Sequence, residues 1–201
     1  IVSNNTTNTL AKAGDEITLT FTASETINEP VVTFQSGSSA ITDSSITYSN
    51  TSGNTWTAKY TANASDTDGS VTFSIAFTDG FNAGTDVTTG SESVTYDGTG
   101  PTISEDTVVS TPSNDTTPSY IFTTDEAGTI TTSISQGFST SPSALTGSNQ
   151  TIIFNTLPEG TYSGETITVT DTAGNAGSIT IPDFVIDTAA PTLSEDTVVS
   201  T

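Results

Sequence analysis

The residues able to do chemistry are almost all carboxylates. Asp15 and Glu16 are adjacent, as are Asp125 and Glu126; Asp66 and Asp68 stand two apart in "SDTDG", and Asp171 precedes Asn175 in "TDTAGN". Asp97 in "YDGTGP" and Asp187 in "IDTAAP" each stand a few residues before a proline. Oxygen ligands of this kind suit a hard divalent cation, and Ca2+ accepts about six to eight oxygens at roughly 2.3 to 2.6 Å in flexible geometry. Calcium is therefore the expected cofactor. A pair such as Asp66 and Asp68 is also the raw material of acid/base catalysis. Here it sits on a turn with no evident pocket, and the chain is read as a non-enzyme. "DTDG" resembles part of an EF-hand loop, yet the third ligand pair, the position-12 Glu and the helices are missing, so it is expected to be a β-turn. Asp, Asn and Gly are also ordinary turn residues, so every acid here has a plain structural reading beside the metal one.

Composition narrows the field. There are 23 Asp plus Glu against 2 Lys plus Arg, a formal net charge of −21, and both cations are lysines, Lys12 and Lys59. Nucleic acid and anionic membrane surfaces are poor partners for such a chain, because phosphate contacts need Lys and Arg. Cys and His are absent, which removes thiol nucleophiles, the usual Ser/His/Asp triad, thiolate zinc sites and disulfides. The lack of thiols is compatible with an extracellular location. No apolar stretch is long enough to span a membrane as a helix, and no initiator Met or signal peptide is present, so the chain is expected to be an excerpt of a longer repetitive protein.

The elements that must position the acids are strands. "EITLTFTAS" alternates Ile17, Leu19, Phe21 and Ala23 with threonines, and "SVTFSIAFTD" alternates Val71, Phe73, Ile75 and Phe77 likewise. Period two with Thr on the second face describes half-buried antiparallel strands. Turn signals give strands A 1–10, B 16–24, C 31–35, D 45–49, E 55–62, F 70–78 and G 91–96. A second set follows: A 102–110, B 119–124, C 129–135, E 151–155, F 165–170 and G 178–186, with a D region too irregular to place. No segment has a helical period. "GPTISEDTVVST" (100–111) returns as "APTLSEDTVVST" (190–201), with Pro101 and Pro191 lying 90 residues apart. That spacing matches one small sandwich. The fold class is all-β: two tandem seven-strand sandwiches, 1–99 and 100–189, and the first strand of a third repeat at 190–201.

Particular phrases carry a family likeness. "LPEGTY" (157–162), leading into "ETITVTDTAGN", resembles the approach to strand F in fibronectin type III and related immunoglobulin-like domains. In those domains a Tyr hydroxyl ties back to the E–F corner. "DEAGT", "TDTAGNAGS" and "VIDTAAPTLS" resemble the tandem bacterial Ig-like repeats of giant surface adhesins, and "ASDTDGSVTFSIAFTDGFNAG" with "VTYDGTGPT" looks like a sister subfamily. The resemblance covers essentially the whole chain. It implies a function of length and stiffness. In a sandwich series the A–B and E–F loops of one unit and the B–C and F–G loops of the next come to one junction. That would gather Asp15, Glu16, Asp66, Asp68 and Asp97 with Asp125, Glu126, Asp171 and Asn175, leaving Asp187 for a following unit. Carboxylates so placed repel unless a cation neutralises them. Cadherins are similar in using such acids to hold Ca2+ at their junctions.

Three function classes follow. The first is an extracellular extender segment of a bacterial adhesin or surface fibre, stiffened by Ca2+ and partnered by neighbouring repeats of its own chain. The second is a self-assembling filament in which 190–201 completes the sheet of another copy. The third is a glycan- or ice-binding module, for which no exposed aromatic platform and only scattered Thr rows are evident. Trp56 and Tyr60 flank Ala58 on one face of strand E and are expected in the core, which points Lys59 outward and argues against a lysine isopeptide cross-link. Asn4, Asn5, Asn50, Asn63, Asn114 and Asn149 open N-x-S/T sequons, which arise easily in a chain this rich in Asn, Ser and Thr.

Overall fold

A computed structural model describes residues 1–43 and 45–195. All regular structure is β. The strands of the first half are β1 (Val2–Ser3), β2 (Leu10–Ala11), β3 (Glu16–Thr22), β4 (Val31–Ser36), β5 (Ser39–Ala40), β6 (Thr47–Ser52), β7 (Thr55–Thr61), β8 (Gly69–Ala76) and β9 (Val94–Tyr96). Those of the second are β10 (Ile103–Thr107), β11 (Ser119–Thr124), β12 (Gly128–Thr132), β13 (Ser143–Ala144), β14 (Gln150–Ile153), β15 (Gly160–Tyr162), β16 (Thr166–Thr170), β17 (Ala176–Thr180) and β18 (Phe184–Ile186). The chain divides into two compact units, one of Ile1–Gly100 with Asp171–Asn175, the other of Pro101–Thr170 with Ala176–Thr201.

In unit 1 the sheets run β1-β3-β7-β6 and β2-β9-β8-β4-β5. In letters these are A-B-E-D facing A′-G-F-C-C′, the strand order of an immunoglobulin-like sandwich. The predicted alternation appears directly as burial. Ile17 and Leu19 from β3, Ala58 and Tyr60 from β7, Phe34 from β4 and Ile75 from β8 are all buried in one core. Trp56 is buried too, and Lys59 points outward to Glu16 across 2.8 Å. Phe34 and Tyr60 meet with ring centroids 4.7 Å apart. The expected single strand A is two short ones. Between them Asn side chains bind backbone, with Thr7 N donating to Asn5 Oδ1 and Glu16 N to Asn4 Oδ1, while Leu10 N donates to the backbone carbonyl of Thr7. That self-binding competes with a ladder, and the two halves join opposite sheets. The hydrogen-bonded turn spans Asn63–Asp66, three residues ahead of the expected "DTDG" turn, and is closed by Asp66 N donating to Asn63 O.

In unit 2 the sheets are β10-β11-β14 and β13-β12-β16-β17, with β15-β18 as a separate ladder. Its core gathers Tyr120, Phe122, Ile152, Phe154, Ile167, Val169 and Phe184. Three local departures from the expected strands have physical causes. The long strand G is broken into β17 and β18 around Pro182, which has no N–H for a ladder. The irregular D region holds β13, which pairs with β12 rather than β14. "GTY" forms β15, pairing with β18 in register Tyr162 to Phe184, and the two rings stack at 4.8 Å. Tyr162 Oη donates to Pro158 O at 2.9 Å, the tie implied by the family likeness. Of the segment expected to open a third repeat, 190–195 carries no strand and the remainder lies outside the described residues. Gly177 packs against the carbonyl of Pro101, where a Cβ would collide with backbone oxygen, so Gly177→Ala is expected to destabilise unit 2.

The two core tyrosines of unit 1 give a sharper test. Tyr96 Oη donates to Asn63 O at 2.7 Å, whereas the buried Tyr60 Oη has no hydrogen-bond partner. Losing a made bond costs about 1 kcal/mol, while removing an unmade one relieves a desolvation penalty of similar size. Chemical denaturation should therefore show Tyr96→Phe less stable than wild type and Tyr60→Phe equal or more stable. The opposite order would mean that Tyr60 Oη is satisfied in solution.

Candidate functional site

The sequence-predicted acids lie in loops and at strand ends, and most of their oxygens hold N–H groups. Asp15 Oδ2 accepts from Lys12 N at 2.8 Å and from Asn5 Nδ2 at 2.7 Å, closing the turn before β3. Glu16 is paired with Lys59. Asp66 is buried and accepts from Thr42 N at 2.7 Å through one oxygen and from Asn63 N at 2.9 Å through the other. Asp68 accepts from Gly98 N and from Thr99 Oγ1, tying the entry of β8 to the segment after β9. Asp171 Oδ1 takes Gly174 N and Asn175 N, and its Oδ2 takes Asn175 Nδ2. In unit 2, Asp125 Oδ1 accepts from Thr102 N at 2.6 Å, and Asp187 Oδ1 from Ala189 N. Glu126 N donates to Thr124 Oγ1, and Glu126 O accepts from the same hydroxyl.

These contacts make the acids loop clasps: a carboxylate accepting two backbone N–H groups fixes a turn as firmly as a short ladder. The electrostatic signature agrees. Backbone N–H donors hold the carboxyls of Asp43, Asp79 and Asp125 below the ordinary value. Asp97 is the exception. Burial pushes its carboxyl upward, and the like charges of Asp171 and Asp68 add to that, against one N–H from Thr99. Its backbone carbonyl receives Asn175 Nδ2 at 2.9 Å. Unit 1 thus brings Asp68, Asp97, Asp171 and Asn175 into one neighbourhood; Asp15 is linked to the same 171–175 loop through Asn5 Nδ2, which also donates to Ala173 O, while Glu16 and Asp66 have partners elsewhere. Among the described residues no three Asp, Glu, His or Cys side chains converge closely enough to hold a metal ion.

Two features went unread in the sequence. Thr20, Thr57 and Ser49 stand in register across β3, β7 and β6, beside a second row of Thr18, Lys59 and Thr47. Rows of this kind need strand pairing that spacing alone does not reveal. Phe81 is 94% exposed, an aromatic that period-two reading does not flag because it stands on a loop. No helix among the described residues is long and apolar enough to cross a membrane.

The chain matches no protein-family model. No curated protein matches it either. Solved structures with a similar backbone include DIP-gamma IG1+IG2, at 13% identity and TM-score 0.39 over 86% of this chain and 90% of that one. Titin A168169 is similar at 12% identity and TM-score 0.34 over 92% and 98%, and the titin Ig tandem A164-A165 at 13% and 0.31 over 89% and 91%. The immunoglobulin-like assignment rests on the strand order itself.

Asp97 yields a pH test. A carboxyl raised on folding opposes the folded state once ionised. Its cost is absent below the ordinary value of 3.8 and appears as pH rises through the raised one. In the presence of a chelator, Asp97→Asn keeps the Thr99 acceptor and is expected to raise thermal stability at pH 7, by less than about 1 kcal/mol because the group keeps contact with water. The gain should vanish near pH 3. Asp125→Asn should behave oppositely, losing stability at pH 7, since its carboxylate is favoured by folding and that contribution fades as pH falls through the lowered value.

Proposed function

We propose that the chain is a segment of structural spacer repeats from a long extracellular adhesin or surface fibre, in which each sandwich adds length and carries tension between its ends. The observation that carries this reading is a parallel contact between the opening and closing segments of each unit, a short ladder in unit 1 and a single bridge in unit 2. In unit 1, β2 runs parallel to β9, with Thr95 N donating to Thr9 O and Asp97 N to Ala11 O at 2.9 and 2.8 Å. In unit 2, Ser113 bridges Ile186 in parallel, with Ser113 N donating to Val185 O and Asp187 N to Ser113 O. Tension on the two ends of a unit pulls such neighbours in opposite directions along their axes. Their bonds are then sheared together instead of broken in turn. The repeated "SEDTVVST" phrase, standing a few residues after the last strand of each unit, supports a modular series.

Single-molecule pulling on the intact chain tests this. Two separate unfolding events are expected, and Thr95→Pro, which removes the bond from Thr95 N to Thr9 O, should lower the force of one event and leave the other unchanged. Unfolding without distinct events would refute the spacer reading.

A second part of the proposal concerns Ca2+. Asp97, raised by burial and by two neighbouring carboxylates, is the group that a divalent cation would relieve; Asp68 and Asp171 are the candidates to share it, and they would have to draw closer to Asp97 than they stand here. A ligand bound only by the folded state raises apparent stability. The melting temperature should therefore fall on chelation in wild type and much less in Asp97→Asn; indifference of the wild type to chelator would end the calcium reading.

The filament alternative rests on Leu193, which is fully exposed while its repeat counterpart Ile103 packs on the unit 2 core. Solution mass with and without residues 190–201 separates the two readings, because strand exchange requires assembly that is lost on truncation.

A further inference from the structure

Among the described residues, the large apolar side chains left exposed in unit 1 are Val31, Phe81 and Val87, at 64, 94 and 41%. All three lie toward the end of the unit where the chain passes from β3 to β4 and from β8 to β9, with Val31 opposite Ala76 and Val87 opposite Ile75 on alternate faces of the sheet, and Phe81 on the loop beyond them. Single exposed apolar residues are ordinary, so what singles out Phe81 is its near-complete exposure on a loop whose other residues line a cleft.

Phe81 sits on a hairpin that holds it in place. Gly84 N donates to Phe77 O, Thr78 bridges Ala83, and the tip closes from Asp79 N to Asn82 O. Asp79 Oδ1 accepts from both Phe81 N and Asn82 N at 2.7 Å, and Thr78 Oγ1 accepts from Gly80 N while donating to Asn82 O. An aromatic displayed by a turn this fully bonded has little conformational entropy left to lose on binding. Against the same hairpin lies a cleft of about 320 Å³ bounded by Ile27, Phe77, Glu25 and Asp79. An apolar recess of about 160 Å³, lined by Ile75 and Val87 among others, adjoins it.

The charge around this end has one sign. Glu25, Glu29, Asp79 and Asp86 lie in the two connecting segments with no Lys or Arg among them. The two lysines of the chain are engaged elsewhere in the unit, Lys59 with Glu16 and Lys12 Nζ with Gly174 O. A second copy of the chain would bring the same negative charge to the contact, whereas a basic surface would be drawn to it.

We propose that this end of unit 1 is a docking site for a cationic protein surface: lysines or arginines meet the acidic rim, Phe81 is the buried anchor, and an apolar side chain of the partner enters the cleft. Aromatic anchors buried at the centre, with the charged contacts kept to a polar rim, are the usual anatomy of an interface.

The test uses the whole chain and two labelled peptides of equal length and charge, one alternating lysine with leucine, the other alternating lysine with serine, followed by fluorescence anisotropy. The lysine–leucine peptide should bind, weaken as salt rises, and bind Phe81→Ser at least tenfold more weakly. That variant should melt with wild type, since the ring is already in water. Glu25→Gln should reduce the salt dependence. Equal binding of both peptides, or equal binding to wild type and Phe81→Ser, would reduce the effect to charge alone and overturn the proposal. So would binding of a glutamate–leucine peptide with similar affinity, or concentration-dependent self-association abolished by Phe81→Ser.

Discussion

Two facing sheets with no cysteine between them hold together only through the side chains they turn inward, and everything else in this protein depends on that contact. With hydrophobic residues at 31% of the sequence, the chain has few apolar groups to spend, and alternation along the strands puts most of the large ones where the sheets meet. Ile17, Leu19, Ala58 and Tyr60 from one sheet and Val32, Phe34, Val71 and Ile75 from the other are each no more than 5% exposed. The outward positions go to threonine, which favours extended backbone and adds no charge. That choice matters in a chain whose net charge is −21, because a sheet face of acids would repel itself across every 4.8 Å or so of strand spacing.

The negative charge is placed in the loops instead, where carboxylates have N–H groups to accept. Asp15, Asp66, Asp79 and Asp171 each take two or more donors. A fold with short strands and long connections thereby acquires stiff connections without covalent links. This gives the acids a structural role before any ion is considered. It also singles out Asp97, which gains one N–H and suffers burial and two like charges, as the place where the loop chemistry is unbalanced. The same logic makes Asp79 useful at the Phe81 hairpin: a carboxylate that closes the turn also contributes to the acidic rim.

Much of this was legible in the sequence. Alternation located β3, β4, β7, β8, β11, β14 and β16 within a few residues, and the burial of Trp56 with Tyr60 and the outward aim of Lys59 followed from parity. The Tyr162 tie was carried by its phrase. What was not legible depended on pairing. Strand A divides between sheets where the Asn5 side chain binds the backbone of Thr7. Pro182 interrupts strand G, and β15 forms a three-pair ladder with β18 in which Tyr162 stands opposite Phe184. The same holds for the site. Residue type identified the carboxylates, yet which N–H each accepts depends on loops closing over long sequence separations, as Asp68 does with Gly98. Phe81 was missed because a solitary aromatic in a loop has no period to reveal it.

The central claim is that each sandwich is built to be pulled from its ends. Because the chain contains no cysteine, handles can be introduced at chosen points. Cysteines replacing Asn8 and Ser93 would grip the same ends of the parallel strands β2 and β9, so that force peels their bonds one at a time, whereas handles at the chain ends shear them together. The account predicts a much lower rupture force for unit 1 in the peeling geometry than in the shearing one. Equal forces in the two geometries would contradict it, because the parallel first-to-last pairing would then not be what resists tension.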